Sequence, residues 1–349
     1  IQQLINEGHK KEEILYINFE DDRLIGFDTQ DFEVLKQSYE ELFPYEPIFF
    51  LDEIQNVPNW EKFARRLVDQ KYKVYITGSN AKMLSGEIAT TLGGRFFMHN
   101  IYPYSFKEYL NASNIAIPDN LDYQNNSEII RTFTQYFRFG GLPELHDVPP
   151  IEKRLWLSSL YNKIFFGDLI SRYSIRNDMA LKVLVRKLAD SVKQPTSFNR
   201  MANVVSSTGQ KIKTDTVIEY LKYLEETWLI FSIENISSKL NDKVSNKKYY
   251  FIDNGILNLF LTDGNTSLFE NMLAIHLRHH YAHELFYYLK DVEVDFYLYD
   301  SQIAIQVCYN MSDISTRNRE VGDLIKFAKA FPCKKLYIVT NDEEYEMEE

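Results

Sequence analysis

The chain reads as α/β: a parallel sheet over its first third, a helical middle segment, and an α+β segment at the C-terminal end. Three observations carry this. Short apolar runs at 48–51 and 74–76 have the length and composition of strands buried on both faces of a parallel sheet. Helical periodicity separates them, at 31–42 and at 60–70, where Trp60, Phe63, Ala64 and Leu67 fall on one face. From 246 onward, a strand, a long helix, a hairpin, a second helix and a last strand follow one another.

The first strand of interest, Ile48, Phe49, Phe50 and Leu51, runs straight into Asp52 and Glu53. Open α/β sheets bind their ligands at the C-terminal ends of strands. Two carboxylates there can divide the work of phosphoryl transfer, Asp52 helping to hold Mg²⁺ and Glu53 orienting an attacking water. The plainer reading is a buried strand followed by an acidic turn. A second strand, Val74 to Ile76, ends in Thr77, Gly78, Ser79 and Asn80, small polar groups able to hydrogen-bond a phosphate or its water. A third apolar strand is expected at Phe96–Ile101, with Arg95 at its edge after Gly93 and Gly94. A guanidinium so placed can stabilise charge on a transferring phosphoryl group, within one subunit or across a subunit boundary. More plainly, it is a solvated turn residue.

In these motifs the chain resembles bacterial and archaeal ATPases of the AAA-like P-loop class that carry a C-terminal domain of unassigned function. The matching segments are LYINFEDDRL (15–24), IFFLDEIQNV (48–57), YITGSNAKMLSGE (75–87), LGGRFFMHNIYPYSFKEYL (92–110), YFRFGGLPEL (136–145) and VDFYL (294–298), spread over nearly the whole chain. The resemblance implies a RecA/AAA-like sheet, with Asp52 and Glu53 as the Walker B pair and Asp52 as the Mg²⁺ contact. Ser79 and Asn80 become sensor candidates and Arg95 the finger candidate. It also implies ATP with Mg²⁺ as the cofactor, and a homo-oligomer among the expected assemblies.

One departure matters. No G-x-x-x-x-G-K-[ST] occurs in the 349 residues, and that loop supplies the N–H cradle, the phosphate lysine and the Mg²⁺ hydroxyl. IQQLINEG (1–8) looks like the rear half of the helix that follows such a loop, ending at Gly8. The expectation is a sheet missing its first strand in a chain that starts downstream of its natural beginning. Such a chain binds ATP poorly or not at all, whereas the intact protein binds it.

Composition sets the remaining bounds. The chain has 45% hydrophobic and 26% charged residues, ordinary for a globular protein. Its length suits two or three domains, expected at 1–115, 116–245 and 246–349, with NASNIAIPDNLDYQNNS (111–127) marking the first boundary. No apolar run approaches the ~20 residues of a membrane span and no signal peptide is visible, so a cytoplasmic location without membrane contact is expected. Cys308 and Cys333 are too few for a disulfide framework or a zinc site. A net charge of −11 argues against non-specific coating of nucleic acid. Between Lys182 and Lys222, however, eight basic residues face three acids, while 342–349 hold six acids.

In the middle segment, Leu181, Leu184, Val185 and Leu188 mark one helix and 197–209 a second. TDTVIEYLKYLEETWLI (214–230) makes a third, with Thr214 as N-cap and Val217, Tyr220, Leu221 and Leu224 as its buried stripe. With a wing from Phe231 onward, this suggests a winged helix. DNA contact through Lys211, Lys213 and Lys222 is one use of it. A protein-docking or lid role is the other, favoured because Glu219, Glu225 and Glu226 would repel phosphates.

The C-terminal order, with Glu270 on a helix, Asp295 on a strand and the triplet Gln306-Val307-Cys308 on the next, resembles a PD-(D/E)xK nuclease core. There the helix Glu, the strand Asp and an E-x-K triplet bind a metal and activate water. Here an amide replaces a carboxylate and a thiol the lysine, which weakens any Mg²⁺ site. The expectation is a nuclease-like fold without nuclease activity. His276, His279, His280 and His283 share one helix but lack an H-E-x-x-H pattern; structural roles are expected, on a polar face opposite Leu273, Leu277 and Tyr281. Two functions follow: a Mg²⁺-dependent ATPase whose cycle repositions the other domains, or a non-catalytic DNA-binding or scaffold protein that keeps the ATPase fold as architecture.

Overall fold

A computed structural model describes residues 1–79, 90–117, 126–237, 246–344 and 346, and the chain divides into two compact units, 1–100 and 101–349. In the first unit, β1 (Ile14–Asn18), β2 (Ile48–Asp52) and β3 (Val74–Ile76) form a parallel sheet in the order β1-β2-β3. Helix Asp31–Leu42 makes the crossover from β1 to β2, and helix Trp60–Asp69 that from β2 to β3. Leu15, Phe49 and Leu51 face a core shared with Phe32, Tyr39, Trp60, Phe63 and Leu67. Phe32 and Phe63 stack at a centroid distance of 4.0 Å, each burial contributing about 1.5–3 kcal/mol. On the other face, Tyr16, Phe50 and Tyr75 lie in one register row, with Tyr16 and Tyr75 exposed.

The strand expected at Phe96–Ile101 is not present. Residues 95–102 carry no strand, and Phe97 and Ile101 are 95% and 93% exposed. An apolar run has strand potential only, since a strand exists where a neighbour supplies its hydrogen bonds, and among the described residues none pairs with this segment.

The second unit begins with helices Phe106–Ala112, Ser127–Phe139 and Pro150–Asn162, the last continuing as a π-helix, Lys163–Ser171. Helices Asp178–Asp190, Phe198–Ser207 and Thr214–Glu226 follow, and four of these six are capped by a side chain, Asn177 serving Asp178–Asp190. Ser105 and Glu108 form a capping box, Asn126 accepts from two N–H groups, and Ser197 caps Phe198–Ser207. Thr214 does not cap its helix. It lies inside the helix, behind Lys213, and its hydroxyl donates instead to Asn199 Oδ1 at 2.8 Å.

Strands β4 (Thr196–Ser197), β5 (Ile230–Asn235), β6 (Asn246–Phe251), β7 (Leu285–Leu289), β8 (Glu293–Leu298), β9 (Ile303–Val307) and β10 (Lys335–Val339) form one sheet in the order β10-β9-β8-β7-β5-β6-β4. Helices Asn265–Tyr281 and Ile314–Ala330 pack on it. β4 and β5, from the middle of the chain, thus share one sheet with the C-terminal strands. β5 pairs antiparallel with β6 and parallel with β7, at Glu234↔Phe286 and Asn235↔Tyr287. One continuous core then runs from Phe137 through Leu188 and Leu221 to Phe296 and Ile305.

Asp253, just after β6, ties this unit together. Its buried carboxylate accepts from Gly141 N (2.8 Å), Gly255 N (2.7 Å) and Ile256 N (3.3 Å). The FGG turn at 139–141 presses directly on it. Gly140 has φ +80°, and a Cβ there would stand 2.0 Å from Asp253 Oδ1; one on Gly141 would stand 2.2 Å from the Tyr104 carbonyl. Only glycine fits. Burial pushes the Asp253 carboxyl up to about 6, against the pull of its three N–H donors.

Two outcomes follow for stability. Gly140→Ala should cost about 3 kcal/mol or more, whereas Gly209→Ala, also at positive φ but with open space around it, should cost about 1 kcal/mol; urea unfolding midpoints compare them. The Asp253 carboxyl is raised in the folded state. Its contribution is therefore full below its unfolded pKa of ~3.9 and is lost as pH rises through about 6, on the order of 3 kcal/mol in all. Unfolding free energies of wild type relative to Asp253→Asn should fall between about pH 4 and 6, and a flat difference would contradict the assignment.

Candidate functional site

Asp52 ends the central strand of the first sheet, and each neighbouring strand places a side chain on it. From β1, the Tyr16 hydroxyl donates to Asp52 Oδ2 at 2.8 Å, and this bond raises the pKa of the phenol. From the end of β3, the Thr77 hydroxyl donates to Asp52 Oδ1. The parallel register, Asn18↔Asp52 and Leu51↔Ile76, brings these strand ends level.

Glu53 then turns back on itself, with φ 51° and ψ 40°. A non-glycine residue there carries about 1–2 kcal/mol of strain, and such strain gathers at sites where geometry is fixed for a purpose. The turn lets Glu53 N donate to Thr77 Oγ1 at 3.2 Å. Its carboxylate Oε2 accepts from Gln55 Nε2 (2.6 Å) and from the Ser79 hydroxyl (3.0 Å). Among the described residues, Gln55 Oε1 is buried without a hydrogen-bond partner. Asp52 and Glu53 are both half-buried, so the group is open to a ligand while its oxygens are already oriented.

The structure thus brings together Asp52, Glu53 and Ser79 of the expected set. Asn80 lies outside the described residues. Arg95 is elsewhere: its Nε stands 3.4 Å from Asp69 Oδ1, half-exposed, and among the described residues no hydrogen bond or ion pair joins it to Asp52 or Glu53. Tyr16 and Gln55 were not singled out in the sequence; the alignment of β1 with β2 is the signal that finds Tyr16. Carboxylate and hydroxyl oxygens are the hard donors that suit Mg²⁺, directly or through water. The residues described therefore fit the metal and water side of a nucleotide site, and the N–H cradle and lysine for phosphates are not among them.

A second group forms in the larger unit. Glu270, Asp295 and Gln306 are all buried; the first two share a lysine and Gln306 accepts from Asp295 N, beside residues that the motif did not contain. Lys248 Nζ, from β6, lies 2.9 Å from Asp295 Oδ1 and 3.5 Å from Glu270 Oε1. Tyr250 donates to Glu270 Oε1 at 2.9 Å. Gln306 Nε2 donates to Glu320 at 2.5 Å. Cys308 turns its thiol to the Asn310 carbonyl at 3.1 Å, and burial raises its pKa. The sequence signal for Lys248 was its period-two relation to Tyr250, which puts both on one face of β6.

Lys211, Lys213 and Lys222 are exposed, and Lys222 pairs with Glu226 at 3.8 Å. Of the helix histidines, His279 is half-buried and stacks on Tyr102 at 4.0 Å. Burial pushes its pKa down to about 4. The stripe that faces the core is Leu268, Phe269, Ala274, Ile275 and Leu277, with Leu273 and Tyr281 only partly buried.

The backbone strain at Glu53 can be measured. Glu53→Gly and Glu53→Gln both remove the charge, but only glycine is at ease in the left-handed region, so the glycine variant should be about 1 kcal/mol more stable in urea unfolding. Equal stabilities would show that the left-handed turn is not held in solution.

Residues 1–110 match the model of an AAA domain, and residues 130–267 that of a domain of unknown function, DUF8612. The chain is 35% identical over 356 residues to the uncharacterized protein MJ1544 of Methanocaldococcus jannaschii, covering 99% of this chain and 79% of that one. It is 32% identical over 256 residues to an uncharacterized protein of Haemophilus influenzae, covering 72% of this chain and 62% of the relative. Among solved structures, the Walker-type ATPase PABY2304 of Pyrococcus abyssi matches over 74% of each chain at 14% identity, with a TM-score of 0.38, too distant to carry the fold. No helix among the described residues is long and apolar enough to cross a membrane. Residues 1–110, which hold the Asp52–Glu53 sheet, thus match an AAA domain, and the chain as a whole belongs to the same family as MJ1544.

Proposed function

We propose that these 349 residues carry the metal- and water-handling side of a Mg²⁺-dependent ATPase. The observation that supports it most is the arrangement of Asp52 and Glu53 at the C-terminal edge of a parallel sheet, each carboxylate held by hydroxyls from the adjacent strand ends. In this reading Asp52 helps hold Mg²⁺, with Tyr16 and Thr77 fixing which way its oxygens point. Glu53 orients the attacking water. Ser79, and Asn80 beside it, sense the γ-phosphate position. Bound with ATP, Mg²⁺ would offset the charge on the phosphates. Arg95 must leave Asp69 to act as a finger, which suits a role towards a neighbouring subunit of a homo-oligomer.

The phosphate-binding loop belongs, in this reading, to residues outside the 349, and the chain alone binds ATP weakly or not at all. MJ1544 is longer than this chain, which spans 79% of it. In the larger unit, the order helix, short strand, two helices, two strands from 178 to 251 supports a winged helix. The placement of Glu270, Asp295 and Gln306 on a helix and adjacent strands supports a nuclease-like core that does not cut nucleic acid. These parts would be what the ATPase cycle moves against a partner protein.

The test compares ATP binding and turnover in the 349-residue chain and in a longer form that carries a phosphate-binding loop. Glu53→Gln in the longer form should lower turnover by about 10²–10⁴-fold and leave ATP binding intact. Unchanged turnover in that variant would overturn the assignment.

A further inference from the structure

In the larger unit three carboxylates meet at one point. Glu270 comes from helix Asn265–Tyr281, and Glu293 and Asp295 from β8, two residues apart and so on one face of the strand. At that point stands Lys248 Nζ, 2.9 Å from Asp295, 3.2 Å from Glu293 and 3.5 Å from Glu270. The Lys248 side chain is wholly buried, with Glu270 and Asp295 nearly so and Glu293 at 41% exposure. An ammonium has three N–H donors; Asp295 and Glu270 accept hydrogen bonds from it and Glu293 adds an ion pair.

We propose that Lys248 is a built-in cation standing where these carboxylates would otherwise gather a divalent metal, so that the cluster is closed by the chain's own ammonium. Three features support this beyond the distances. Neighbouring donors already share these carboxylates: Val307 N donates to Asp295 Oδ2 at 2.9 Å, and Tyr250 joins Lys248 on Glu270 Oε1 at 2.9 Å. Gln306, which could have offered an oxygen, directs its carbonyl oxygen to Asp295 N (3.3 Å) and its amide to Glu320. Arg319 in turn holds Glu320 at 2.5 Å. A divalent ion wants several anionic oxygens free at about 2.0–2.6 Å, and here one charge of the right sign already fills the space.

Electrostatics agree with the geometry. Burial works against the charge of Lys248, yet the carboxylates of Asp295 and Glu270 outweigh it and hold the ammonium well above the usual lysine range. Burial raises the Glu270 carboxyl, against the pull of Lys248. One ammonium facing two buried carboxylates leaves one negative charge over.

The cation also has a mechanical role that a metal would otherwise fill. Lys248 belongs to β6, while its partners belong to β8 and to the helix laid across the sheet. The ammonium therefore clasps the β5–β6 ribbon to the β7–β10 strands. This inference is independent of the ATPase reading.

The test is Mn²⁺ binding, followed by electron paramagnetic resonance of free Mn²⁺, in wild type, D295N, K248A and K248A/D295N of the full chain. Sites that survive D295N are subtracted, which removes any contribution from Asp52 and Glu53. The expected result is no D295N-sensitive site in wild type and one in K248A. Thermal unfolding supplies a second readout: Mn²⁺ should raise the melting temperature of K248A by more than that of wild type or K248A/D295N. If K248A folds only with Mn²⁺, recovery of its circular dichroism on adding the ion reports the same site. The proposal is overturned by a D295N-sensitive site in wild type, by a folded K248A that binds no Mn²⁺, or by a K248A that Mn²⁺ fails to refold.

Discussion

Where β6 ends, Asp253 carries a carboxylate into a place without solvent, and three backbone N–H groups are aimed at it. Each donor comes from a segment that needs the bond as much as the carboxylate does: Gly141 from the turn after helix Ser127–Phe139, Gly255 and Ile256 from the start of the short helix Asn254–Asn258. A buried N–H without a partner costs about 1–3 kcal/mol, so losing this one side chain would strand all three. One residue further the logic continues through amides. Asn254 donates to the carbonyls of Phe137 and Leu268, and Asn271 pairs with both the N–H and the carbonyl of Phe251. A helix, a turn, a strand end and a second helix are thus held by three polar side chains in succession.

The two acidic groups solve the problem of close carboxylates in opposite ways. Asp52 and Glu53 keep solvent access, are oriented by neutral hydroxyl and amide donors, and leave their negative charge without a cation among the described residues. Glu270 and Asp295 are sealed and have one. The first arrangement accepts backbone strain at Glu53 and an orphaned amide oxygen at Gln55, features out of place in a purely structural turn. The second satisfies its polar atoms internally, as a buried network must if it is to be stable.

Much of this was legible in the residues, and what was not has identifiable causes. Amphipathic helices announce themselves because burial and spacing are local: Trp60, Phe63, Ala64 and Leu67 lie in the core, as do Leu181, Leu184, Val185 and Leu188. The ends of β2 and β3 were readable for the same reason, and with them Asp52, Glu53 and Ser79. Pairing between strands distant in sequence leaves no such trace. Nothing near Glu234 names Phe286 as its neighbour, so the joining of the β5–β6 ribbon to β7 was invisible. Phe96–Ile101 shows the converse, β-forming residues without a neighbour to pair with. Lys248 escaped notice because a lysine in a strand ordinarily signals a solvated edge, and only the arrival of Asp295 and Glu270 from elsewhere makes its burial affordable.

Asn254-Gly255 holds a further consequence, for the chemical ageing of the protein. In a loose chain this dipeptide is the one most given to deamidation, since the unhindered glycine nitrogen attacks the asparagine amide and closes a succinimide ring. Here the Gly255 N–H is bound to Asp253, and the Asn254 amide is bound to two carbonyls and to Asn271. Neither can turn towards the other. The folded unit shields its most fragile bond with the same contacts that hold it together. Isoaspartate at 254 would therefore accumulate in proportion to time spent unfolded, and once formed it would bar the way back.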